Sequence, residues 1–271
     1  MNKKHLMSGI VIVLLLFITP SITAQTYREI KGWSKEINER IETFLNTTLT
    51  MNIRKVAVFD GDGTVVGQAP HYLADEALYR YADKFYKGKS DKFSKEKMAI
   101  LNRMVNNVGK AYVEDRAHFL AGMTPEEVAN LGYDCYVESY QGKFYPEMKQ
   151  LIANLKEYGF EVWILTASPE FLYQKFLSEE LGIPEVNILG MKSVVVDGVL
   201  TNEIVLPIPQ DDGKANVIPT FIKTRPLVVG GNSRGDMDML NQSCGLKIVV
   251  NPDDKTVRGP EDGPMHGLTV K

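Results

Sequence analysis

Two aspartates separated by one glycine end an apolar stretch early in the chain. Asp60 and Asp62 follow residues 56–59 (VAVF), which are apolar throughout and predict a strand buried on both faces of a parallel sheet. Such a pair could form a turn, a calcium loop or a site of phosphoryl transfer. An EF-hand calcium loop needs Glu at its twelfth position, where this chain has His71. The turn and phosphoryl transfer therefore stay open.

Polar residues also follow two further strands that the sequence predicts. Thr166 comes after the apolar run VWIL, and Asn232 and Asp236 come shortly after PLVV. Lys214 lies between them, at the start of a short helix. Sites in open parallel sheets form outside the carboxyl ends of the strands. We therefore expect these side chains to meet the two aspartates at one edge of the sheet.

This set of residue types suits phosphoryl transfer. A carboxylate can attack phosphorus and form an aspartyl phosphate, and a second acid can protonate the leaving oxygen and later deprotonate water. A hydroxyl and a lysine offset charge on the phosphoryl oxygens, and neighbouring glycines let backbone amides approach. A hard cation with oxygen ligands, Mg²⁺ above all, would offset the repulsion between phosphate and carboxylates.

Four short sequences, in this order, resemble the motifs of the haloacid dehalogenase-like (HAD) superfamily. They are DGDGT (60–64), LTAS (165–168), DGK (212–214) and GNSRGDMD (231–238). The match covers roughly residues 53–251. The resemblance implies an α/β fold, with a Rossmann-like parallel sheet flanked by helices, an inserted helical cap and a β-hairpin.

The resemblance also implies roles for the first two motifs. Asp60 would be the nucleophile and a metal ligand. Asp62 would be the general acid and base, and its backbone carbonyl would bind the metal. Thr166 and the amide of Ala167 would hold the phosphate, and Gly61 would leave room for it.

The last two motifs would supply a cation and the rest of the metal site. Lys214 would bind phosphate and steady Asp60, while Asn232 and Asp236 would complete the Mg²⁺ site directly or through water. Many relatives carry Asp where this chain has Asn232, so the site has one negative charge fewer. Which of the two residues contacts the ion directly stays open, and Asp238 is expected to be structural.

A helical cap is predicted at residues 68–140, between core segments 25–67 and 141–271. Three helical stretches fill it: 71–88, 94–122 and 124–140. The insert resembles the cap of the phosphoserine phosphatase-like branch. Its aromatic residues are expected mainly in the core, with a cage for a quaternary ammonium group as the alternative.

Few cap residues are candidates for substrate contact. Gln68 and His71 are the first choice, because they lie where the chain leaves the core. Arg103, Glu114 and Arg116 are expected on solvated helix faces, with recognition of a substrate carboxylate or amine as the alternative.

Other elements are indicated by caps and turns. A helix starts after Ser34, and another is expected to start with Ser168 as its cap and to end at Gly182. The Asp-Gly pair at 197–198 predicts a β-hairpin, and Pro219 is expected to break a short helix.

The beginning of the chain has the order of a secretory signal. Residues 1–24 contain two lysines, a short apolar run and small residues up to Ala24, after which we expect cleavage. An uncleaved anchor is the alternative. The expected location is the periplasm or outside the cell, with no membrane attachment after cleavage.

The amino-acid composition limits the classes of partner that we expect the protein to bind. The 271 residues are 44% hydrophobic and 24% charged, with a net charge of −3, which is typical of a globular protein and argues against nucleic acid as a partner. Cys135 and Cys244 are expected to be two small buried residues rather than a disulfide.

The expected activity is Mg²⁺-dependent hydrolysis of a small phosphomonoester through an aspartyl phosphate. Phosphocholine, phosphoethanolamine and phosphoserine are the candidate substrates, because the sequence is similar to phosphocholine phosphatase-like and phosphoserine phosphatase-like proteins. Two alternatives stay open: another phosphoryl transfer reaction of the superfamily, and a catalytically idle phosphate-binding relative.

Overall fold

The computed structural model describes residues 25–252 and 267–270. The expected signal sequence, residues 1–24, lies outside the described residues. In the part that is described, no helix has the length and apolarity needed to cross a membrane.

A seven-stranded sheet forms the centre of the described part, in the order β4-β3-β2-β1-β5-β6-β7. All neighbouring strands are parallel except the pair β3 and β4. The strands are β1 (Val56–Asp60), β2 (Glu161–Pro169), β3 (Ile188–Val196), β4 (Val199–Val205), β5 (Val228–Gly231), β6 (Leu246–Val250) and β7 (Leu268–Val270). The predicted parallel sheet and the hairpin at 197–198 are therefore confirmed.

Helices cover both faces of this sheet. Within the described ranges they are α1 (Lys35–Thr47), α2 (Leu73–Phe85), α3 (Lys92–Asn106), α4 (Gly109–Leu120), α5 (Pro125–Ser139), α6 (Pro146–Glu157), α7 (Glu170–Leu181), α8 (Asp212–Val217) and α9 (Met237–Leu240). Short 3₁₀ helices lie at Gln141–Lys143, Glu185–Asn187 and Arg234–Asp236, and a π-helix at Ile218–Ile222 follows α8. The predicted break at Pro219 is wrong, because the helix continues past this residue and changes from the α to the π form at Ile218.

The central strand β1 is buried at every position, as its apolar run predicted. Ala57 and Phe59 pack into one hydrophobic core together with residues of α1, α6 and α7. Val56 and Val58 point to the other face and pack with residues of α8 and α9. Because β1 pairs with β2 on one side and β5 on the other, the carboxyl ends of these three strands meet.

The segment predicted as one helix at 94–122 is two helices, which corrects the sequence interpretation. The chain turns at Gly109, whose φ of +58° lies in the left-handed region that favours glycine. The turn folds α4 back onto α3, where Arg103 Nε donates to Asp115 Oδ1 over 2.9 Å. Asn107 Nδ2 donates to the other oxygen of Asp115 over 2.7 Å and closes the turn.

Helix ends and cysteines were predicted with mixed success. Ser34 caps α1 through Ile37 N, and Gly182 ends α7 in the left-handed conformation, both as expected. Cys135 is buried and both cysteines are free, but Cys244 is exposed, so its predicted burial is wrong. It follows β5 and α9 in a turn near the surface, where its amide bonds to Pro226.

Helix α5 packs against α7 with almost no space at Gly132. A Cβ atom built at this residue would lie 1.9 Å from the carbonyl oxygen of Leu172, which is backbone and cannot rotate away. We expect Gly132→Ala to lower the free energy of unfolding by about 1–3 kcal/mol, because the helices must separate. Urea denaturation measures this.

Gly142→Ala is the matched control, because a Cβ atom there has no heavy atom within 4 Å. It should leave the free energy of unfolding nearly unchanged. Equal losses in the two variants would contradict the close α5–α7 contact.

Candidate active site

A cavity of about 250 Å³ lies where the strand ends meet. Seven of the residues predicted as first choices for the site line it, namely Asp60, Asp62, Gln68, Thr166, Ala167, Lys214 and Asn232, and Arg116 and Ser168 line it as well. His71 lines a neighbouring cavity instead, although Gln68 lines both. The Gly61 carbonyl accepts from the amides of Val65 and Val66 and so shapes the loop after β1.

Lys214 joins two of the strand ends. Its Nζ donates to Asp60 Oδ1 and to Asp236 Oδ1, each over 2.6 Å. Burial alone would lower the pKa of this ammonium, but the two carboxylates raise it above its ordinary value. Lys214 therefore stays charged, and it holds α8 against the ends of β1 and β5.

Asp60 is the last residue of β1 and is buried. Its second oxygen, Oδ2, lies 3.2 Å from Thr64 Oγ1, and the same hydroxyl lies 3.2 Å from Asn232 Oδ1. Burial raises the pKa of Asp60, and the adjacent Lys214 opposes that rise. Sequence reasoning missed Thr64, although its place as the last residue of DGDGT was a signal.

Asp62 is held by three hydroxyl groups. Tyr173 donates to Oδ1 over 2.9 Å, while Thr166 and Ser168 donate to Oδ2 over 3.3 and 3.4 Å. Burial raises the pKa of Asp62 above its ordinary value, and the bond from Tyr173 and the charge of Arg116 partly offset this. The acid that faces the cavity thus has only neutral hydrogen-bond partners.

Ser168 is not the helix cap that the sequence suggested. Strand β2 continues to Pro169, which pairs with Met191, and α7 begins at Glu170 without a side-chain cap. Ser168 is a buried strand residue whose amide donates to Thr166 Oγ1 over 3.1 Å. Pairing with β3 therefore outweighs the local preference for a cap.

Asp236 lies behind the cavity rather than in its wall. It is completely buried, and its Oδ2 accepts from the amides of Asn232 and Ser233, each over 3.0 Å. Its Oδ1 is bonded to Lys214, so both oxygens are occupied. Asp238 points to solvent, as expected for two acids set two apart. Asn232, directly after β5, lines the cavity, and so do Ser233 and Gly235.

Arg116, on α4, is buried in the wall of the cavity, with an exposed fraction of 2%. The sequence placed it on a solvated helix face, which is wrong. Its Nε donates to Asp75 Oδ1 over 2.9 Å, and its guanidinium lies 4.4 Å from the ring centre of Tyr112 and 5.3 Å from that of Tyr72. These two rings therefore already hold a cation of the protein itself.

The fold and the site define the class of protein. The protein has an α/β fold with a mostly parallel sheet, and paired aspartates after β1, a hydroxyl after β2, a lysine on α8 and an amide after β5 meet at the carboxyl ends of its strands. Residues 57–241 match the model of the haloacid dehalogenase-like hydrolases. The chain belongs to this family.

Several known proteins are similar to this chain. Phosphoserine phosphatase SerB1 of Mycobacterium tuberculosis is 25% identical over 213 residues, which cover 75% of this chain and 67% of that protein. A conserved protein of unknown function from Anaerococcus prevotii has a similar fold, with a TM-score of 0.63, 17% identity, and coverage of 83% of this chain and 88% of its own. A probable phosphoserine phosphatase from Vibrio cholerae gives a TM-score of 0.54 at 16% identity, over 80% of this chain and 60% of its own.

Removal of the Lys214 charge should destabilise the protein strongly. Lys214→Met leaves two buried carboxylates without their cation, and we expect the free energy of unfolding to fall by about 3–5 kcal/mol. Adding Asp236→Asn should recover part of this loss, because one of the unpaired charges is then removed. Urea denaturation of both single variants and the double variant measures the coupling.

Lys110→Met is the control, because Lys110 forms only an exposed ion pair with Asp212. Its stability should be close to that of the unchanged protein. Strictly additive effects of the changes at positions 214 and 236 would show that the buried contact carries no coupling.

Proposed function

We propose that the protein is a phosphatase that hydrolyses a small phosphomonoester through an aspartyl phosphate on Asp60. The observation that carries this proposal is the fixed contact between Lys214 Nζ and Asp60 Oδ1 beside a separately held Asp62. One carboxylate lies against a cation and the other against neutral hydroxyls, within one small cavity. This is the division that a nucleophile and a proton donor require.

In the first half of the reaction, Asp60 attacks phosphorus as the bond from phosphorus to the leaving oxygen breaks. Asp62 in its protonated form gives its proton to that oxygen, so the product leaves as an alcohol. Burial raises the pKa of Asp62, which favours this protonated form. Thr166 and Lys214 lie where they can bind the phosphoryl oxygens.

In the second half, water attacks the phosphorus of the aspartyl phosphate. Asp62, now a carboxylate, takes the proton from this water. The bond between phosphorus and Asp60 breaks, phosphate is released and the Asp60 carboxylate is restored.

Mg²⁺ fits the oxygen atoms of this site. Asp60 and Asn232 would hold it with side-chain oxygens, since their Oδ2 and Oδ1 atoms both lie 3.2 Å from the Thr64 hydroxyl. The backbone carbonyl of Asp62 would be a further ligand. Asp236 would not bind the ion directly, because both of its oxygens are occupied, and it would instead hold Lys214 and the Asn232 backbone in place. Among the described residues no group of three His, Cys, Asp or Glu is placed to hold a metal, so the amide and carbonyl are needed. A bound Mg²⁺ would offset the charge of the phosphate.

The substrate proposal follows the similarity to phosphoserine phosphatases and the size of the cavity. Phosphoserine, phosphocholine and phosphoethanolamine are the compounds to compare. Arg116 would have to share its guanidinium between Asp75 and the carboxylate of phosphoserine. Tyr72 and Tyr112 would have to bind choline beside the Arg116 cation.

Hydrolysis of p-nitrophenyl phosphate tests the enzyme proposal. We expect turnover with Mg²⁺ and none with EDTA, since the site needs a cation to accept the phosphate. Asp60→Asn should lower turnover at least about a thousandfold, because it removes the nucleophile. Asp238→Asn, the same type of change at an exposed position of the last motif, is the control and should be fully active.

The alternatives give different outcomes in this assay. No metal-dependent turnover over a broad pH range would favour an idle phosphate-binding relative. Full activity of Asp60→Asn would show that another group attacks. Transfer of the phosphoryl group to an added alcohol rather than to water would favour a transferase of the same family.

We further propose that the protein is exported and that residues 1–24 are removed. The observation that supports this is the order of charged, apolar and small residues in this segment. Mass spectrometry of the protein isolated from the cell envelope of the expressing bacterium should give a chain that begins at Gln25. A chain that begins at Met1 would contradict cleavage.

A further inference from the structure

Two buried residues with no part in the proposed chemistry contact the carboxylate of Asp62. Tyr173 donates to Oδ1 over 2.9 Å, and Ser168 donates to Oδ2 over 3.4 Å. Both are almost completely buried, so neither bond competes with solvent. Each of the two carboxylate oxygens therefore accepts a hydrogen bond from one of these buried hydroxyls.

The hydroxyl of Tyr173 has a second partner in the cap. It accepts a hydrogen bond of 3.3 Å from the amide of Ala74, in the first turn of α2. The residue that precedes this helix, Tyr72, makes no side-chain cap, so the first-turn amides need outside acceptors. Because the amide must donate, the single phenolic proton is left for Asp62. One oxygen atom thus joins the start of α2 to the acid.

A second chain of contacts starts from the same turn. Asp75 accepts from Arg116 Nε over 2.9 Å, and Arg116 Nη1 donates to Ser168 Oγ over 3.3 Å. Arg116 and Asp75 are both buried, with exposed fractions of 2% and 4%. Since Ser168 accepts from the guanidinium, its own proton is directed to Asp62 Oδ2. Both series of hydrogen bonds therefore begin in the first turn of α2, and they end on the two different oxygens of the Asp62 carboxylate.

We propose that Tyr173 and Ser168 are positioning residues that align Asp62 for proton transfer and link its alignment to the docking of the first turn of α2. This inference rests on the proposed function, because it assigns Asp62 the proton that the leaving oxygen takes. The cap then affects the proton step through these hydrogen bonds, in addition to covering the substrate. Neither residue touches the reacting atoms.

The chemistry of the leaving group provides a specific test. p-Nitrophenolate is a stable anion and leaves with little need of a proton, whereas phenolate is a poorer leaving group and gains more from one. A displaced acid should therefore slow phenyl phosphate more than p-nitrophenyl phosphate. General loss of structure would slow both esters alike.

The experiment compares kcat/KM for the two esters in the full chain, with Mg²⁺ present. We expect Tyr173→Phe to lower kcat/KM for phenyl phosphate about tenfold more than for p-nitrophenyl phosphate. Ser168→Ala should act in the same direction with a smaller difference, because its bond to Asp62 is longer. It also serves if the tyrosine variant fails to fold. Circular dichroism and thermal melting monitor folding.

Tyr158→Phe is the matched control. Tyr158 is a buried tyrosine whose hydroxyl donates to Asn46 Oδ1 over 2.9 Å, far along the sheet from the cavity. It should leave the ratio of the two kcat/KM values unchanged. Equal losses for both esters in folded Tyr173→Phe and Ser168→Ala would overturn the inference. If the unchanged protein hydrolysed neither ester, the proposed function itself would fail, and this inference with it.

Discussion

The buried contact of Lys214 with two carboxylates is the interaction on which the site depends. Taking charges out of water is costly unless they are paired and hydrogen-bonded, and here one ammonium satisfies Asp60 and Asp236 at equal distances of 2.6 Å. The other oxygen of Asp236 in turn receives the amides that follow β5. The end of β1, helix α8 and the loop after β5 are therefore held by one cluster of charges.

The net charge of this cluster also determines which charged groups can enter the cavity. One ammonium against two carboxylates leaves a net negative charge, to which a phosphate ester would add more. Such a cluster would repel its own substrate without a further cation, which is the physical case for Mg²⁺ between Asp60 and Asn232. An aspartate at position 232 would give the ion more charge, so the amide of this chain predicts weaker ion binding than a carboxylate would.

Asp60 and Asp62 acquire different properties although they are two residues apart. Burial raises the pKa of Asp60 as well, but the adjacent Lys214 opposes that rise and favours the carboxylate form, which the proposed reaction uses as its nucleophile. Asp62 has hydroxyl partners, and burial raises its pKa, which favours a group that can carry a proton. Two like side chains in contrasting surroundings are a recurrent way to obtain a nucleophile and an acid at neutral pH.

The sequence predicted what is local and missed what depends on distant contacts. The strand before Asp60, the hairpin and the order of the motifs are all visible in short stretches, and the parallel sheet then brings the strand ends together. Tyr173 lies 111 positions from Asp62 and is joined to it only by the packing of α7, so no local pattern could reveal the bond. The Ser-Pro pair at 168–169 even pointed elsewhere, because it is typical of a helix start, yet pairing with β3 keeps it in a strand. Arg116 was misplaced for the same reason: its polarity suggested solvent, but Asp75 and two tyrosines supply a buried environment that compensates its charge. The residues hardest to find from sequence are thus those that join helices α2 and α4 to the ends of the strands, since each of them is explained by a partner on another element.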